Sequence, residues 1–168
     1  MPFNLEIKIA VKSLNEVEKK LAALNAENSG VLIQTDIYYK TKNGLLKLRM
    51  ENGENQLIHY FRNETVKDRW SDYSVLKIND YKADKFLAGL FKTEVTIKKS
   101  RNLYWYKNTR IHLDKVKGLG TFLELETKLI NGKKEAKERF NFLVNYLQLD
   151  AKKQIRKSYR DLLLEREI

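Results

Sequence analysis

Cysteine is absent from all 168 residues, which excludes disulfides, thiolate nucleophiles and cysteine-ligated zinc together. Proline occurs once and glycine seven times. No linker or low-complexity tract therefore marks a place to divide the chain, and no repeat of solenoid length is visible. No apolar run approaches the roughly 18 residues needed to span a bilayer, so no membrane partner is expected. The two histidines, His59 and His112, are too far apart for a metal-binding helix spacing. A Gly-x-x-x-x-Gly-Lys-Ser/Thr phosphate loop and a Gly-x-Ser-x-Gly elbow are missing as well. The opening Met1-Pro2-Phe3-Asn4-Leu5-Glu6 has neither a basic n-region nor an apolar h-region, which makes a cytoplasmic location the default expectation.

What remains is 42% hydrophobic and 33% charged, the balance of one soluble globular domain over residues 1–168. Lysine and arginine number 33 against 22 acids, a formal charge of +11. Such an excess favours an anionic partner, whether nucleic acid, a phospholipid surface or a phosphorylated small molecule, although most surface lysines do no more than solvate the protein. Tyrosines and tryptophans fit strand packing better than an exposed base-stacking platform, which disfavours nucleic acid.

Ser13, with Glu16 three residues on, predicts a capped helix carrying Val17, Leu21 and Leu24, closed by Asn28-Ser29-Gly30. Strands are predicted over 31–40, 45–51, 56–62 and 70–78, with turns at Lys42-Asn43-Gly44 and Asn52-Gly53-Glu54. A helix over 80–90 with Phe86, Leu87 and Leu90 follows. Strands over 93–101, 103–115 and 121–129 come next, the middle one open to a break at Lys107-Asn108. The chain then turns helical through Ala136, Phe140, Leu143, Val144 and Leu147, and Ser158 caps a last piece with Leu162 and Leu163. The expected class is α+β: an eight-stranded antiparallel β-barrel, or tunnel, with helices packed outside.

The strands hide their charges on one face. Side chains alternate sides along a strand, so Asn4, Glu6 and Lys8 share a face, as do Lys47 and Arg49, Lys99 and Arg101, and Glu124 and Glu126. Arg110, His112 and Asp114 do the same. Like charges side by side on a strand repel and call for a counter-ion. Oxygen ligands without cysteine suit Mg²⁺ or Mn²⁺, and Glu6, Glu124, Glu126 and Asp114 are the candidate ligands. Lys8, Lys47, Arg49, Arg62, Lys99, Arg101 and Arg110 are the complementary cations for a polyphosphate. The simpler alternative is that acids and bases only neutralise one another. Glu6, Lys8, Arg49, Arg101 and Glu124 should meet in one lumen, with Leu5, Ile7, Leu48, Leu123 and Leu125 pointing out beneath the helices. His59 shares parity with Leu57 and Phe61 and reads as packing. His112 shares parity with Arg110 and Asp114, which leaves a place beside the site open to it.

Asn4-x-Glu6-x-Lys8 resembles the Glu-x-Glu-x-Lys signature of the CYTH superfamily, the triphosphate tunnel metalloenzymes. Leu46-Lys47-Leu48-Arg49 is similar to that family's basic strand. Lys99-x-Arg101, Arg110-Ile111-His112-Leu113-Asp114 and Gly118-Leu119-Gly120-x-Phe122-Leu123-Glu124-Leu125-Glu126 are similar to its second half. Ser158-Tyr159-Arg160-Asp161-Leu162-Leu163 resembles the tail of class IV adenylate cyclases. The resemblance covers about residues 3 to 165 and implies a metal-dependent enzyme acting on ATP, tripolyphosphate or thiamine triphosphate. Lys8, Arg49, Lys99 and Arg101 are its implied catalytic set. Adenylate cyclase comes first among the implied activities, triphosphatase second, and a non-catalytic polyphosphate- or RNA-binding module third. A homodimer stays open. Asn4 departs from the signature, where the family has glutamate.

Overall fold

The computed structural model describes residues 3–62 and 70–168. Strand β1 (Phe3–Ala10) leads to helix α1 (Leu14–Ala23), and the chain returns as a long strand, β2 (Glu27–Tyr39). Next come β3 (Leu45–Glu51), β4 (Glu54–Arg62), β5 (Trp70–Ile78) and α2 (Ala83–Leu90). The second half runs β6 (Thr93–Tyr106), β7 (Thr109–Val116), β8 (Gly120–Lys128), α3 (Lys133–Tyr146), a single 3-10 turn at Ala151–Lys153, and α4 (Tyr159–Arg166). The strands close a barrel in the order β1-β5-β4-β3-β2-β6-β7-β8, with β8 paired back onto β1. Every pairing is antiparallel.

Short connections make this topology accessible. Asn52 and Gly53 both have positive φ, 49° and 82°, the two-residue turn whose twist suits a hairpin. Lys107 and Asn108 build a similar turn with φ of 42° and 57° and split the expected 103–115 strand between β6 and β7. Gly44 has φ +70°, and a Cβ there would lie 2.9 Å from the Tyr60 carbonyl oxygen, so no larger residue fits without movement.

One expectation fails locally. Asn28-Ser29-Gly30 does not end α1, which stops at Leu24 with Asn25 left-handed. Those residues form a bulge in β2, where Gly30 has φ 92° and its N–H donates to Asn28 Oδ1. A positive-φ glycine serves a helix end and a strand bulge equally well, so sequence could not separate them. In α2 the buried residues are Ala83 and Leu87, whereas Phe86 and Leu90 face outward.

Alternation on the strands sorts the apolar groups into three clusters. Outside β1, β7 and β8, residues Ile7, Ile111, Leu123 and Leu125 pack against Leu21 of α1 and Leu143 of α3. Outside β2 and β3, Tyr39 and Leu48 pack under Ala83 and Leu87 of α2. Each such fully buried aliphatic contributes about 1.5–3 kcal/mol. The third cluster is inside. Tyr38, Ile58, Val95, Ile97, Val116 and Phe122 take the lumen-facing parity at one end of the barrel, and α4 closes that end with Tyr159, Leu162 and Leu163. Ser158 starts α4 with a complete capping box to Asp161. Among the described residues, no helix is long and apolar enough to cross a membrane.

Candidate active site

Beyond the apolar end, the lumen opens into a cavity of about 330 Å³ lined by Asn4, Glu6, Lys8, Lys47, Arg49, Lys99, Arg101, Arg110, His112, Glu124 and Glu126. The expected convergence of Glu6, Lys8, Arg49, Arg101 and Glu124 is therefore met, and Leu5, Ile7, Leu48, Leu123 and Leu125 are buried on the opposite face. Register explains the meeting. Glu6 stands opposite Glu126 and Lys8 opposite Glu124 across β1 and β8, while Arg110 and His112 of β7 face Glu126 and Glu124. The side chain of Arg62 lies outside the described residues.

The bases are organised by two buried carboxylates. Asp36 accepts from Arg49 Nε and Nη2 at 2.8 Å each, from Lys47 Nζ at 2.9 Å and from Lys99 Nζ at 3.4 Å. Burial would raise its pKa, but Arg49, Lys47 and Lys99 outweigh burial and hold the carboxyl well below the usual range. Asp114 accepts from Arg101 Nε at 2.7 Å and Nη2 at 2.6 Å, and from the Tyr159 hydroxyl at 2.8 Å. Its pKa is also lowered, Arg101 prevailing over burial. Asp114, a candidate metal ligand by sequence, is thus bound up in orienting Arg101.

Tyrosines carry the lysines. Lys8 Nζ lies 4.4 Å and Lys99 Nζ 5.1 Å from the centre of the Tyr159 ring, and Lys47 Nζ lies 5.4 Å and 5.6 Å from those of Tyr38 and Tyr60. Ammonium groups at this range are drawn to the ring face. Lys8 also donates to the Lys157 carbonyl at 2.8 Å. Burial and neighbouring Arg101, partly offset by Asp36, push Lys99 down to about 8. Tyr38, Tyr60, Tyr73 and Tyr159 thus line the cavity, where sequence had assigned the tyrosines to strand packing.

The acids gather at the other side of the cavity. Arg110 Nη2 pairs with Glu126 Oε2 at 2.5 Å, and Arg101 Nη2 lies 3.5 Å from Glu124 Oε2. His112 Nδ1 lies 3.9 Å from Glu126 Oε1 and has no hydrogen-bond partner among the described residues. Burial, then Arg101, pushes His112 down to about 3, so its ring is neutral at ordinary pH. One donor atom each from His112, Glu124 and Glu126 lies within 4.8 Å of the others. A neutral imidazole beside two carboxylates is a donor set that fits a divalent cation. His59 lies on the outer face and bonds the Asn43 carbonyl, packing edge-on to Phe61.

Residues 3–159 match the family model for the CYTH domain. The chain belongs to the CYTH family. A provisionally named adenylate cyclase of Methanocaldococcus jannaschii is 29% identical over 170 residues, covering 94% of this chain and 97% of that protein. A Pyrococcus horikoshii protein superposes with a TM-score of 0.84 at 22% identity, over 95% of this chain and 98% of that one. A Hippeastrum protein, provisionally named an adenylyl cyclase and described as having dominant triphosphatase activity, superposes with a TM-score of 0.73 at 12% identity, over 100% and 97% of the two chains. These two likenesses speak for the shared CYTH barrel alone.

Asp36 escaped the sequence reading, although Gln34, Asp36 and Tyr38 alternate with Ile33, Thr35 and Ile37 in the same way as the segments that were recognised. Gln34 donates to Glu51 and lines the cavity with it. The signal was parity, obscured because Asp36 is the one charged residue between Val31 and Tyr39.

Proposed function

We propose that this CYTH barrel is a divalent-metal-dependent enzyme acting on a triphosphate, of the class IV adenylate cyclase type. The observation that carries this is the convergence of six bases with the carboxylates of Glu6, Glu124 and Glu126 on one cavity closed at its inner end. Lys8, Lys47, Arg49, Lys99, Arg101 and Arg110 bind and orient the phosphates. Arg49 and Arg101, each held through Nε and Nη2 by a carboxylate, offer their remaining N–H groups in a fixed direction. Glu6, Glu124 and Glu126 hold a Mg²⁺ or Mn²⁺ ion, with His112 and Asp114 close by. That ion, when bound, neutralises charge on the phosphate oxygens. The tyrosine floor limits water at the inner end, where a preset field acts on developing charge more strongly than in solvent.

In the cyclase reaction the ribose 3′-hydroxyl oxygen bonds to the α-phosphorus, its proton passes to solvent, the bond from that phosphorus to the bridging oxygen breaks, and pyrophosphate leaves. A second reading, triphosphatase, is favoured by the closed inner end, which suits a linear polyphosphate entering from one mouth. In that reaction the oxygen of water bonds to the terminal phosphorus, the bond from that phosphorus to its bridging oxygen breaks, and orthophosphate and the shortened phosphate chain leave, with the proton lost from water passing to solvent. The Hippeastrum relative supports keeping both reactions in view for one fold. Incubation with ATP or tripolyphosphate and Mg²⁺ or Mn²⁺, with products resolved by chromatography, separates them. Cyclic AMP with pyrophosphate is the expected result, orthophosphate selects the second reading, and no product from either substrate leaves a polyphosphate-binding module.

A further inference from the structure

We propose that His112 is a direct ligand of the divalent cation held by Glu124 and Glu126, and that it tilts this site from magnesium toward manganese. The inference rests on reading the lumen as a cation site for polyphosphate, and it adds the ligand that sets which cation is kept.

Three observations carry it. His112 sits on β7 directly across from Glu124 in β8, so strand register alone brings its ring to the same lumen face. It is only 3% exposed, yet among the described residues Nδ1 has no hydrogen-bond partner. Buried polar atoms almost always have one. Finally, Arg110 takes Oε2 of Glu126 at 2.5 Å, which turns Oε1 toward Nδ1 at 3.9 Å. That gap is too long for a hydrogen bond. Two atoms each about 2.1 Å from a shared ion can stand up to twice that apart, and the three donor atoms, within 4.8 Å of one another, are close to that span.

The chemistry decides the ion. Mg²⁺ demands oxygen ligands and keeps its waters, whereas imidazole nitrogen suits first-row transition ions. An all-carboxylate site would leave Mg²⁺ favoured by abundance. One nitrogen in the set gives Mn²⁺ an advantage that Mg²⁺ cannot share.

Pulsed electron paramagnetic resonance on the Mn²⁺-loaded full chain reads this directly, because a coordinated imidazole imprints nitrogen coupling on the Mn²⁺ signal. The chain has two histidines, and His59 faces outward against the Asn43 carbonyl. The coupling should therefore survive in H59A and vanish in both H112A and H112N. Calorimetric titration should show Mn²⁺ binding at least about tenfold tighter than Mg²⁺, a preference that H112A removes while its Mg²⁺ affinity changes little. Mn²⁺ bound without nitrogen coupling, or an unchanged Mn²⁺/Mg²⁺ preference in H112A, overturns the proposal and leaves the triphosphate reading intact. A chain that binds neither ion, with or without tripolyphosphate, overturns both.

Discussion

Asp36 on β2 receives both Nε and Nη2 of Arg49 from the neighbouring strand β3, at 2.8 Å each, while itself only 1% exposed. The same carboxylate holds Lys47 and Lys99. One acid therefore keeps three cations apart and aimed, at the cost of desolvating all of them. Removing one partner of a buried ionic cluster leaves uncompensated charge and typically costs about 3–5 kcal/mol. D36N should lose stability by about that amount in thermal or urea unfolding. Tripolyphosphate should restore more of the melting temperature in D36N than it adds to the wild type, since it replaces the missing negative charge. A variant as stable as the wild type would mean the three bases need no counter-ion.

Lys99 links the site to pH. Burial and Arg101 hold it near 8, against an ordinary lysine value of 10.5. Between those values the unfolded chain binds the extra proton, so this group's contribution to stability rises with pH across the window from about 8 to 10.5. A bound polyphosphate acts in the opposite sense, favouring the charged ammonium. Binding at pH 8.5 should then take up roughly three-quarters of a proton at Lys99. Lys47, also lowered by burial and by Arg49, adds to the total. Calorimetry in buffers of different ionisation enthalpy measures the uptake, and K99R should reduce it by the Lys99 share, because arginine stays charged throughout. Equal uptake in both proteins would exclude Lys99 as the titrating group.

The barrel was legible because period-two alternation is clear in β1, β3 and β8, where charged and aliphatic residues take opposite faces. The same parity placed Glu6, Lys8, Arg49, Arg101 and Glu124 in one lumen. It could not tell an acid that holds a metal from one that holds an arginine. Asp114 has the lumen parity of a ligand, but its two oxygens are engaged by Arg101 and Tyr159. That partnership joins positions 101, 114 and 159 and becomes visible only once α4 is folded against the barrel end. Tyr159 was missed for the same reason. A residue at the start of a short capped helix carries no periodic sign that it enters a lumen built by strands from the rest of the chain.

Tyr159 gives a graded test of that barrel end. Y159F keeps the ring beneath Lys8 and Lys99 and removes only the hydroxyl donated to the Asp114 carboxylate, a loss of about 1.5–3 kcal/mol. Y159A also empties the space beside Phe122, whose ring centre lies 5.0 Å away, and should cost about 3–5 kcal/mol. Urea unfolding distinguishes the two. Equal losses would mean the hydroxyl alone matters and the aromatic floor contributes nothing.

Glu6 and Glu124 are buried but lie on the wet side of the strands, with their packing role carried by Ile7, Leu123 and Leu125. E6Q and E124Q keep shape and remove charge. Each should abolish divalent-dependent turnover while far-ultraviolet circular dichroism and the melting temperature stay near wild type. Full activity in both would make these acids structural counter-ions to Lys8 and Arg101.

Asn4 breaks the signature that β1 otherwise follows, and its position makes the break testable. It is 2% exposed, lines the cavity, and shares a strand face with Glu6 two residues on, opposite Lys128 of β8. Its amide oxygen can approach a cation but brings no charge. Hard divalent ions bind more tightly as anionic ligands are added. The wild type should therefore hold one ion firmly at the Glu6 and Glu124 side, with any second ion recruited mainly by substrate oxygens. N4E adds a carboxylate on the same face and should tighten Mn²⁺ binding without substrate, whether or not turnover improves. Lys128 opposite the new acid limits the folding cost of a second negative charge near Glu6. Titration calorimetry with Mn²⁺ on both proteins measures the change. An unaltered affinity in N4E would put residue 4 beyond reach of the ion and leave its asparagine without a role in metal binding.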